Sequence, residues 1–460
     1  MLLNEIDKSK PIHMIGIGGS SMSGIAEIAL NMGFKITGSD RSLSPITDRL
    51  ADSGIKIYEG HNASNVEGAS LIVYTAAISE NNPELVHASE LNIPMMERSE
   101  FLGEITKLYS KTISICGTHG KTTTTSMIAS IFVEAQKDPT VQVGADIKAL
   151  NNLNYRAGES EYFILESCEY VRSFLKFHPQ TIALLNIEED HLDYYKDLDD
   201  IKSAFIDFIN LLPHDGIVVL NSDNKNCLDV VKNSNHKIIT IGIENQEADY
   251  AATNISVLSN GCYSFDVTFD NQIHNITLGV PGLHNVSNAL IAIATSIAHG
   301  IDIKDIISGL QKFTGASRRF EFVGEINGAK IYDDYAHHPT EIKVTIDSAN
   351  NMKHNKIWTV FQPHTYTRTK ALFNEFEDAF EKADNLILVD IYAAREIDDG
   401  TVSSKMLADK INEKYKNCIY IPTLEEAATY LRENVTADDI VLTIGAGTIT
   451  KLGYMLKEEK

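Results

Sequence analysis

A chain of 460 residues is long enough for about three domains at roughly 150 residues each. Its 43% hydrophobic and 22% charged residues exclude a disordered or fibrous protein. Lys and Arg number 40 against 63 Asp and Glu, and the resulting charge of −23 argues against a nucleic-acid or membrane partner while allowing a local basic pocket. Cys116, Cys168, Cys227, Cys262 and Cys418 are scattered without a C-x-x-C pair, so neither a disulfide framework nor a zinc site is expected, and a reducing cytoplasm is. The opening MLLNEIDKSKP lacks an apolar signal core, and no apolar run reaches about 18 residues, so neither a signal peptide nor a membrane span is expected.

Short apolar runs at residues 13–17, 71–74, 112–116, 162–165, 181–186, 216–220, 357–361, 385–389 and 440–444 alternate with helix-period stretches. Many end in Gly, Asp, Asn or His. This rhythm predicts parallel α/β sheets with ligands at the carboxyl ends of the strands. Three blocks follow: residues 1–107, 108–318 and 319–460.

The first block opens with His13-Met14-Ile15-Gly16-Ile17-Gly18-Gly19-Ser20-Ser21-Met22-Ser23-Gly24, a strand-to-helix turn near G-x-G-x-x-G with Ser21 at the third glycine. A second strand over 35–37 ends in Gly38-Ser39-Asp40, with Asp40 where dinucleotide folds place a ribose-binding acid. A dinucleotide, a diphosphate held by serine hydroxyls, and a packing turn all fit.

The second block opens with Ile113-Ser114-Ile115-Cys116-Gly117-Thr118-His119-Gly120-Lys121-Thr122 and a predicted helix over 123–133. Backbone amides of such a loop, with the helix N-terminus, cradle phosphate oxygens. Lys121 would bridge the terminal phosphates and Thr122 would hold Mg²⁺, although Ile115 stands where the full motif has its first glycine. Two later strands end in Glu166-Ser167-Cys168-Glu169 and in Ile187-Glu188-Glu189-Asp190-His191-Leu192-Asp193. Parallel strands bring these ends beside the loop, so Glu166 is expected on the nucleotide's Mg²⁺ and His191 on a second ion. Alternation of Tyr263, Phe265, Val267 and Phe269 predicts an antiparallel hairpin within 250–280.

The third block carries Arg318-Arg319-Phe320-Glu321, then Tyr332-Asp333-Asp334-Tyr335-Ala336-His337-His338-Pro339-Thr340-Glu341. Phe361-Gln362-Pro363-His364-Thr365-Tyr366-Thr367-Arg368 and Asp390-Ile391-Tyr392-Ala393-Ala394-Arg395-Glu396 follow. These polar, aromatic clusters at strand ends suit a cleft; a metal site at the paired histidines lacks a third ligand at useful spacing. Two nucleotide-like sites with a third, cleft-lining block describe an ATP-driven ligase better than a kinase. A dehydrogenase and a nucleotide-gated binding protein stay as alternatives.

Gly117-Thr118-His119-Gly120-Lys121-Thr122-Thr123-Thr124, the Glu188–Asp193 run, Gly282-Leu283-His284-Asn285-Val286-Ser287-Asn288-Ala289 and the Asp333–Glu341 run together resemble the Mur ligases of peptidoglycan synthesis, in that family's order and over essentially the whole chain. The turn at 13–19 and Phe361-Gln362-Pro363-His364 resemble the members that join L-alanine to UDP-N-acetylmuramate. The resemblance implies a Rossmann-like N-terminal domain for the UDP-sugar. It implies a central P-loop ATPase-like domain, with a parallel sheet plus a small antiparallel sheet, and a C-terminal Rossmann-like α/β domain for the amino acid. It implies ATP, two Mg²⁺ ions, an acyl phosphate on the lactyl carboxylate, and a cytoplasmic monomer or weak dimer. The alternative within the family attaches a murein peptide or another amino acid.

Residue by residue, Gly117, Thr118, His119, Gly120, Lys121, Thr122 and Thr123 would face ATP, with Lys121 also catalytic. Thr122 and Glu166 would hold one ion and His191 the second. His284 and Asn285 would lie near adenine, and Arg319 and Asp334 would reach into the ATP cleft. His337, His364 and Arg368 would act near the acyl phosphate. Gly18, Gly19, Ser20, Ser21, Met22, Ser23, Asp40, Thr75, Ala76 and Ala77 would face the UDP-sugar. Three departures stand out. Cys168 replaces an acid common in these ligases, and Thr365 replaces an arginine. The position where some relatives carry a carbamoylated lysine falls near Phe205, so no such modification is expected.

Overall fold

The computed structural model describes residues 3–192 and 194–457. Among them, no helix is long and apolar enough to cross a membrane. Three sheets organise the chain, within two compact units: one built from the chain up to Ala251 plus Ser287–Phe313, the other from Ala252–Val286 plus the chain from Thr314 onward.

In the first unit, Pro11–Ile15 (β1), Lys35–Asp40 (β2), Lys56–Glu59 (β3), Leu71–Tyr74 (β4) and Met95–Glu97 (β5) form a parallel sheet ordered β3-β2-β1-β4-β5. Winding reverses between β1 and β4, which opens a crevice at their carboxyl ends. The first strand begins and ends two residues earlier than its apolar run. Gly16 and Ile17 have already turned, and both amides donate to the Ser39 carbonyl, at 2.8 and 3.1 Å.

The second sheet of this unit contains Lys111–Cys116 (β6), Thr140–Ile147 (β7), Leu153–Arg156 (β8), Tyr162–Glu166 (β9), Thr181–Leu184 (β10), Ile217–Asn221 (β11) and Lys237–Gly242 (β12). Their order is β12-β11-β10-β6-β9-β7-β8, with only the β7–β8 pair antiparallel. Residues 112–116 of β6 are buried, as a strand covered on both faces requires. The helix Ser20–Asn31 presses on β7 and β8: a Cβ on Gly24 would stand 2.7 Å from Gln142 Oε1 and 3.0 Å from Tyr155 Cβ. One apolar core therefore runs from Ile12 of the first sheet, through Ile25 of that helix, to Phe163 and Leu184 of the second sheet.

In the second unit, Tyr250–Val257 (β13, from Ala252), Cys262–Phe269 (β14) and Gln272–Pro281 (β15) make an antiparallel meander. The expected hairpin thus has three strands, with Tyr263, Phe265 and Val267 buried. Glu321–Ile326 (β16), Ala329–Asp334 (β17), Ile357–Phe361 (β18), Asn385–Leu388 (β19), Cys418–Tyr420 (β20) and Ile440–Ile444 (β21) follow. Their order is β16-β17-β21-β18-β19-β20, parallel except for β16–β17. Apolar layers cover both faces. Trp358, the chain's only tryptophan, is buried in β18, and its indole N–H donates to Asp439 Oδ2 at 3.2 Å. Asp439 also accepts from the Thr436 and Lys356 amides, tying the start of β21 to β18.

Candidate active site

Strand β6 lies between β10 and β9, with Cys116 beside Leu184 and Ile115 beside Glu166. The loop after β6 therefore opens beside both acid-bearing strand ends. Two glycines shape it. Gly117 has φ +139°, and a Cβ there would stand 2.9 Å from the Asn186 carbonyl. Gly120, at φ +85°, caps the helix Lys121–Glu134, which starts two residues before its predicted limit. Asn186 braces the loop: its Oδ1 accepts from the His119 amide at 2.7 Å and its Nδ2 donates to the His119 carbonyl at 3.0 Å. Asn288 lies against Gly120, where a Cβ would come within 2.7 Å of its Oδ1. The first-turn amides of Lys121, Thr122 and Thr123 have no intrahelical carbonyl ahead of them and are available to an anion.

Lys121 Nζ donates to the Gly117 and Thr118 carbonyls, at 2.5 and 3.0 Å, and to both oxygens of Glu169, at 3.2 and 3.0 Å. Burial alone would lower the pKa of this ammonium, but the Glu169 carboxylate more than offsets it and holds the group above its ordinary value. Thr122 Oγ1 donates to Glu166 Oε1 at 3.0 Å, while the Gly144 amide holds Glu166 Oε2 at 2.7 Å. A hydroxyl and a carboxylate in contact at a phosphate-binding helix start are the oxygen donors that Mg²⁺ takes. His191 faces Glu169 and Asp190. Its Nε2 lies 3.8 Å from Glu169 Oε1 and 3.7 Å from Asp190 Oδ2, and its ring packs on Tyr170 with 4.5 Å between centroids. Asp193 lies outside the described residues.

At the crevice of the first sheet, Asp40 Oδ2 accepts from the Gly18 amide at 2.9 Å. Gly16 adjoins the turn after β4, where Thr75 Cγ2 would lie 3.1 Å from an added Cβ, and the Ala77 amide donates to Thr75 Oγ1 at 3.3 Å. Gly18, Gly19, Ser20 and Ser21 thus sit with Asp40, Thr75, Ala76 and Ala77 around the strand ends. Met22 and Ser23 are buried beneath, and the Ser23 amide and hydroxyl donate to the Gly19 and Ser20 carbonyls. Two further residues reach this turn. Arg98 donates to Ser21 Oγ at 3.0 Å, and Asn154 donates to the carbonyl and hydroxyl oxygens of Ser20, at 2.9 and 3.0 Å.

The second unit gathers the remaining candidates at the carboxyl ends of β17, β18 and β21. Asp334 accepts from the Phe320 and Ala336 amides, each at 2.8 Å, yet burial raises its carboxyl to about 6 despite Arg319 nearby. Arg318 and Arg319 lie over the Tyr335 ring at 4.7 and 5.3 Å. The rings of His337 and His364 stand 6.2 Å apart. Arg368 Nη1 donates to His364 Nδ1 at 3.1 Å, and burial with the Arg368 charge lowers His364 to about 4. His337 Nδ1 donates to the Tyr335 carbonyl at 3.0 Å, and burial lowers its pKa as well. Thr365, in place of the arginine, has φ +67° and caps the helix Tyr366–Ala371. Asn285 is buried and donates to the Pro281 carbonyl at 2.7 Å, whereas His284 is exposed at the start of its helix.

Three family descriptions match in succession: "Mur ligase family, catalytic domain" over residues 11–110, "Mur ligase middle domain" over 115–296, and "Mur ligase, glutamate ligase domain" over 318–447. The chain belongs to the Mur ligase family. It is 49% identical over 455 residues to the UDP-N-acetylmuramate–L-alanine ligase of Acetivibrio thermocellus, covering 99% of this chain and 97% of that one. Among solved structures it resembles the UDP-N-acetylmuramate–alanine ligase of Thermotoga maritima, with a TM-score of 0.82, 28% identity, and 97% and 98% of the two chains covered. The murein peptide ligase of Psychrobacter arcticus shares the fold, with a TM-score of 0.71, 23% identity, and 97% and 98% coverage.

For a Mur ligase chain, the sequence pointed to the phosphate loop but not to what braces it. Asn186 could have been found as the polar residue ending an apolar run beside β6. Arg98 follows β5 of the first sheet and reaches the turn across the strand ends, whereas Asn154 lies inside β8, and only the packing of the second sheet against the helix Ser20–Asn31 brings it there.

Proposed function

We infer that this protein joins L-alanine to the lactyl carboxylate of UDP-N-acetylmuramate in peptidoglycan precursor synthesis, with ATP converted to ADP and phosphate through an acyl phosphate. The observation that carries this is near-50% identity, over nearly the full length of both chains, to a ligase of that name. The murein-peptide reading has the weaker structural likeness.

The roles follow from chemistry at each cluster. The loop 117–120 and the first-turn amides of Lys121, Thr122 and Thr123 receive the phosphates of ATP, and Lys121 moves from Glu169 onto the transferring phosphoryl group, whose charge it stabilises. Thr122 and Glu166 would hold one Mg²⁺ and His191 would face a second. Magnesium, when bound, neutralises phosphate charge and favours attack at the terminal phosphorus. The first turn, Asp40, residues 75–77 and Arg98 receive the UDP moiety. His284, Asn285, Arg319 and Asp334 contact ATP.

The two histidines divide the second half-reaction. A carbonyl can only accept, so His337 Nδ1 carries the proton and leaves the Nε2 lone pair to take a proton from the alanine amine. A guanidinium can only donate, so His364 Nδ1 accepts and Nε2–H is left to stabilise the oxyanion of the tetrahedral intermediate. Arg368 adds charge there.

The same reading divides the chain into domains at 1–107, 108–318 and 319–460. It places the protein in the cytoplasm as a monomer or weak dimer. The test is phosphate release from ATP with UDP-N-acetylmuramate and one amino acid at a time. Release with L-alanine far above glycine, L-serine and the blank is expected. Release only with a preformed peptide would assign the murein peptide reaction instead.

A further inference from the structure

Glu84 is fully buried at the start of the helix Pro83–Glu90, where Asn82 Oδ1 accepts its amide at 2.9 Å. Four side chains converge on its carboxylate. Asn65 Nδ2 and His13 Nε2 reach Oε1, at 2.7 and 3.3 Å. Ser39 Oγ and His61 Nδ1 reach Oε2, at 2.6 and 2.7 Å. Burial alone would raise the pKa of this carboxyl, but the four hydrogen bonds outweigh it and hold the group below its ordinary value. Glu84 is therefore an anion that only accepts. As a fastener alone, a buried charge does no better than well-packed apolar side chains.

Two of its partners stand at the carboxyl edge of the first sheet. The Ser39 carbonyl holds the Gly16 and Ile17 amides, and the next residue, Asp40, takes the Gly18 amide. His61 follows Gly60, whose amide donates to the Asp40 carbonyl at 2.7 Å. The His61 side chain is 20% exposed, although the Glu84 beneath it is not exposed at all. A carboxylate cannot donate, so His61 Nδ1 carries the proton between them. Nε2, across the ring, has no partner among the described residues. One edge of the imidazole is thus fixed on Glu84, and the other is left at the strand ends beside Asp40.

We propose that Glu84 is a positioning residue for the UDP-sugar, acting through His61, whose Nε2 it aims at a ribose hydroxyl of the nucleotide. This rests on the reading of the first sheet as the UDP-sugar site and adds what holds that site in shape. A hydroxyl both gives and accepts a hydrogen bond, so it pairs with Nε2 whether or not that nitrogen carries a proton. The ring is ordered on folding, and binding bears none of that entropy.

The test is calorimetric titration of the full chain with a non-hydrolysable ATP analogue and Mg²⁺, then with UDP-N-acetylmuramate. His61→Asn keeps a donor near the place of Nδ1 and removes only the far edge of the ring. Glu84→Asp keeps the charge and draws the carboxylate back by about 1.5 Å, the length of one C–C bond, beyond hydrogen-bond reach of Nδ1. Each should weaken UDP-N-acetylmuramate binding by about tenfold and leave affinity for the ATP analogue unchanged. The double variant should lose no more than about twofold beyond either single one, because Glu84 acts through a ring that is then absent. Wild-type affinity in His61→Asn or in Glu84→Asp, losses that multiply in the double variant, or a parallel loss of the ATP analogue would each overturn the assignment. A wild-type chain that binds the ATP analogue but no UDP-sugar would instead overturn the ligase reading on which it rests.

Discussion

Removing Lys121 should do more than stop catalysis. Its side chain is 13% exposed and that of Glu169 only 3%, so Lys121→Ala leaves a carboxylate buried without its cation. Breaking a buried ion pair from one side costs about 3–5 kcal/mol. The expected loss is therefore about 3–5 kcal/mol, local to the Lys121–Glu134 helix. Adding Glu169→Gln should restore most of the stability and none of the activity. Hydrogen exchange of amides along Lys121–Glu134 in wild type and both variants reads this directly. A Lys121→Ala helix within about 0.5 kcal/mol of wild type, or a double variant no more stable than Lys121→Ala, would refute the argument.

Glu166→Gln should raise the Mg²⁺ concentration for half-maximal rate by about tenfold; an unchanged Mg²⁺ titration would remove Glu166 as a ligand. Arg98→Ala should raise KM for the UDP-sugar while leaving KM for ATP alone, and equal shifts in both would remove Arg98 from that site. Gly103→Ala should destabilise the first unit by about 1–3 kcal/mol, because the new Cβ would stand 2.2 Å from the Lys176 carbonyl oxygen, and thermal unfolding followed by circular dichroism tests it. His364, lowered to about 4 in the fold from an ordinary 6.5, is buried neutral, so its contribution is complete above about pH 6.5 and is lost as pH falls toward 4, by at most about 2 kcal/mol between pH 7 and 5. The unfolding midpoint should therefore drop less on acidification in His364→Asn than in wild type; equal drops would show that His364 titrates normally.

The features legible in the sequence are those encoded locally. Residues 117–122 read as a phosphate loop because strand, glycines, Lys121, Thr122 and helix are contiguous. The meander at 252–281 read through the alternation of Tyr263, Phe265 and Val267. Boundaries slipped where the backbone satisfies itself in three dimensions: β1 stops at Ile15 because Ser39, on a neighbouring strand, accepts both following amides. The order of the strands, and hence the meeting of Glu169 with Lys121, depends on which strands flank β6. No local pattern states that. The same holds for Asn288, 168 residues beyond the Gly120 it covers. That His191 faces Glu169 was likewise hidden, because type and distance along the chain cannot say which carboxylate an imidazole will face.

A lone tryptophan sealed inside β18 makes the intrinsic emission of this protein a one-station signal. Light excited at the indole edge reports the sheet that carries Asp334, His337 and His364, and is blind to the nucleotide loop of the other unit. A melting curve followed by that emission records the second unit alone, so any difference from the backbone signal measures how independently the two units come apart.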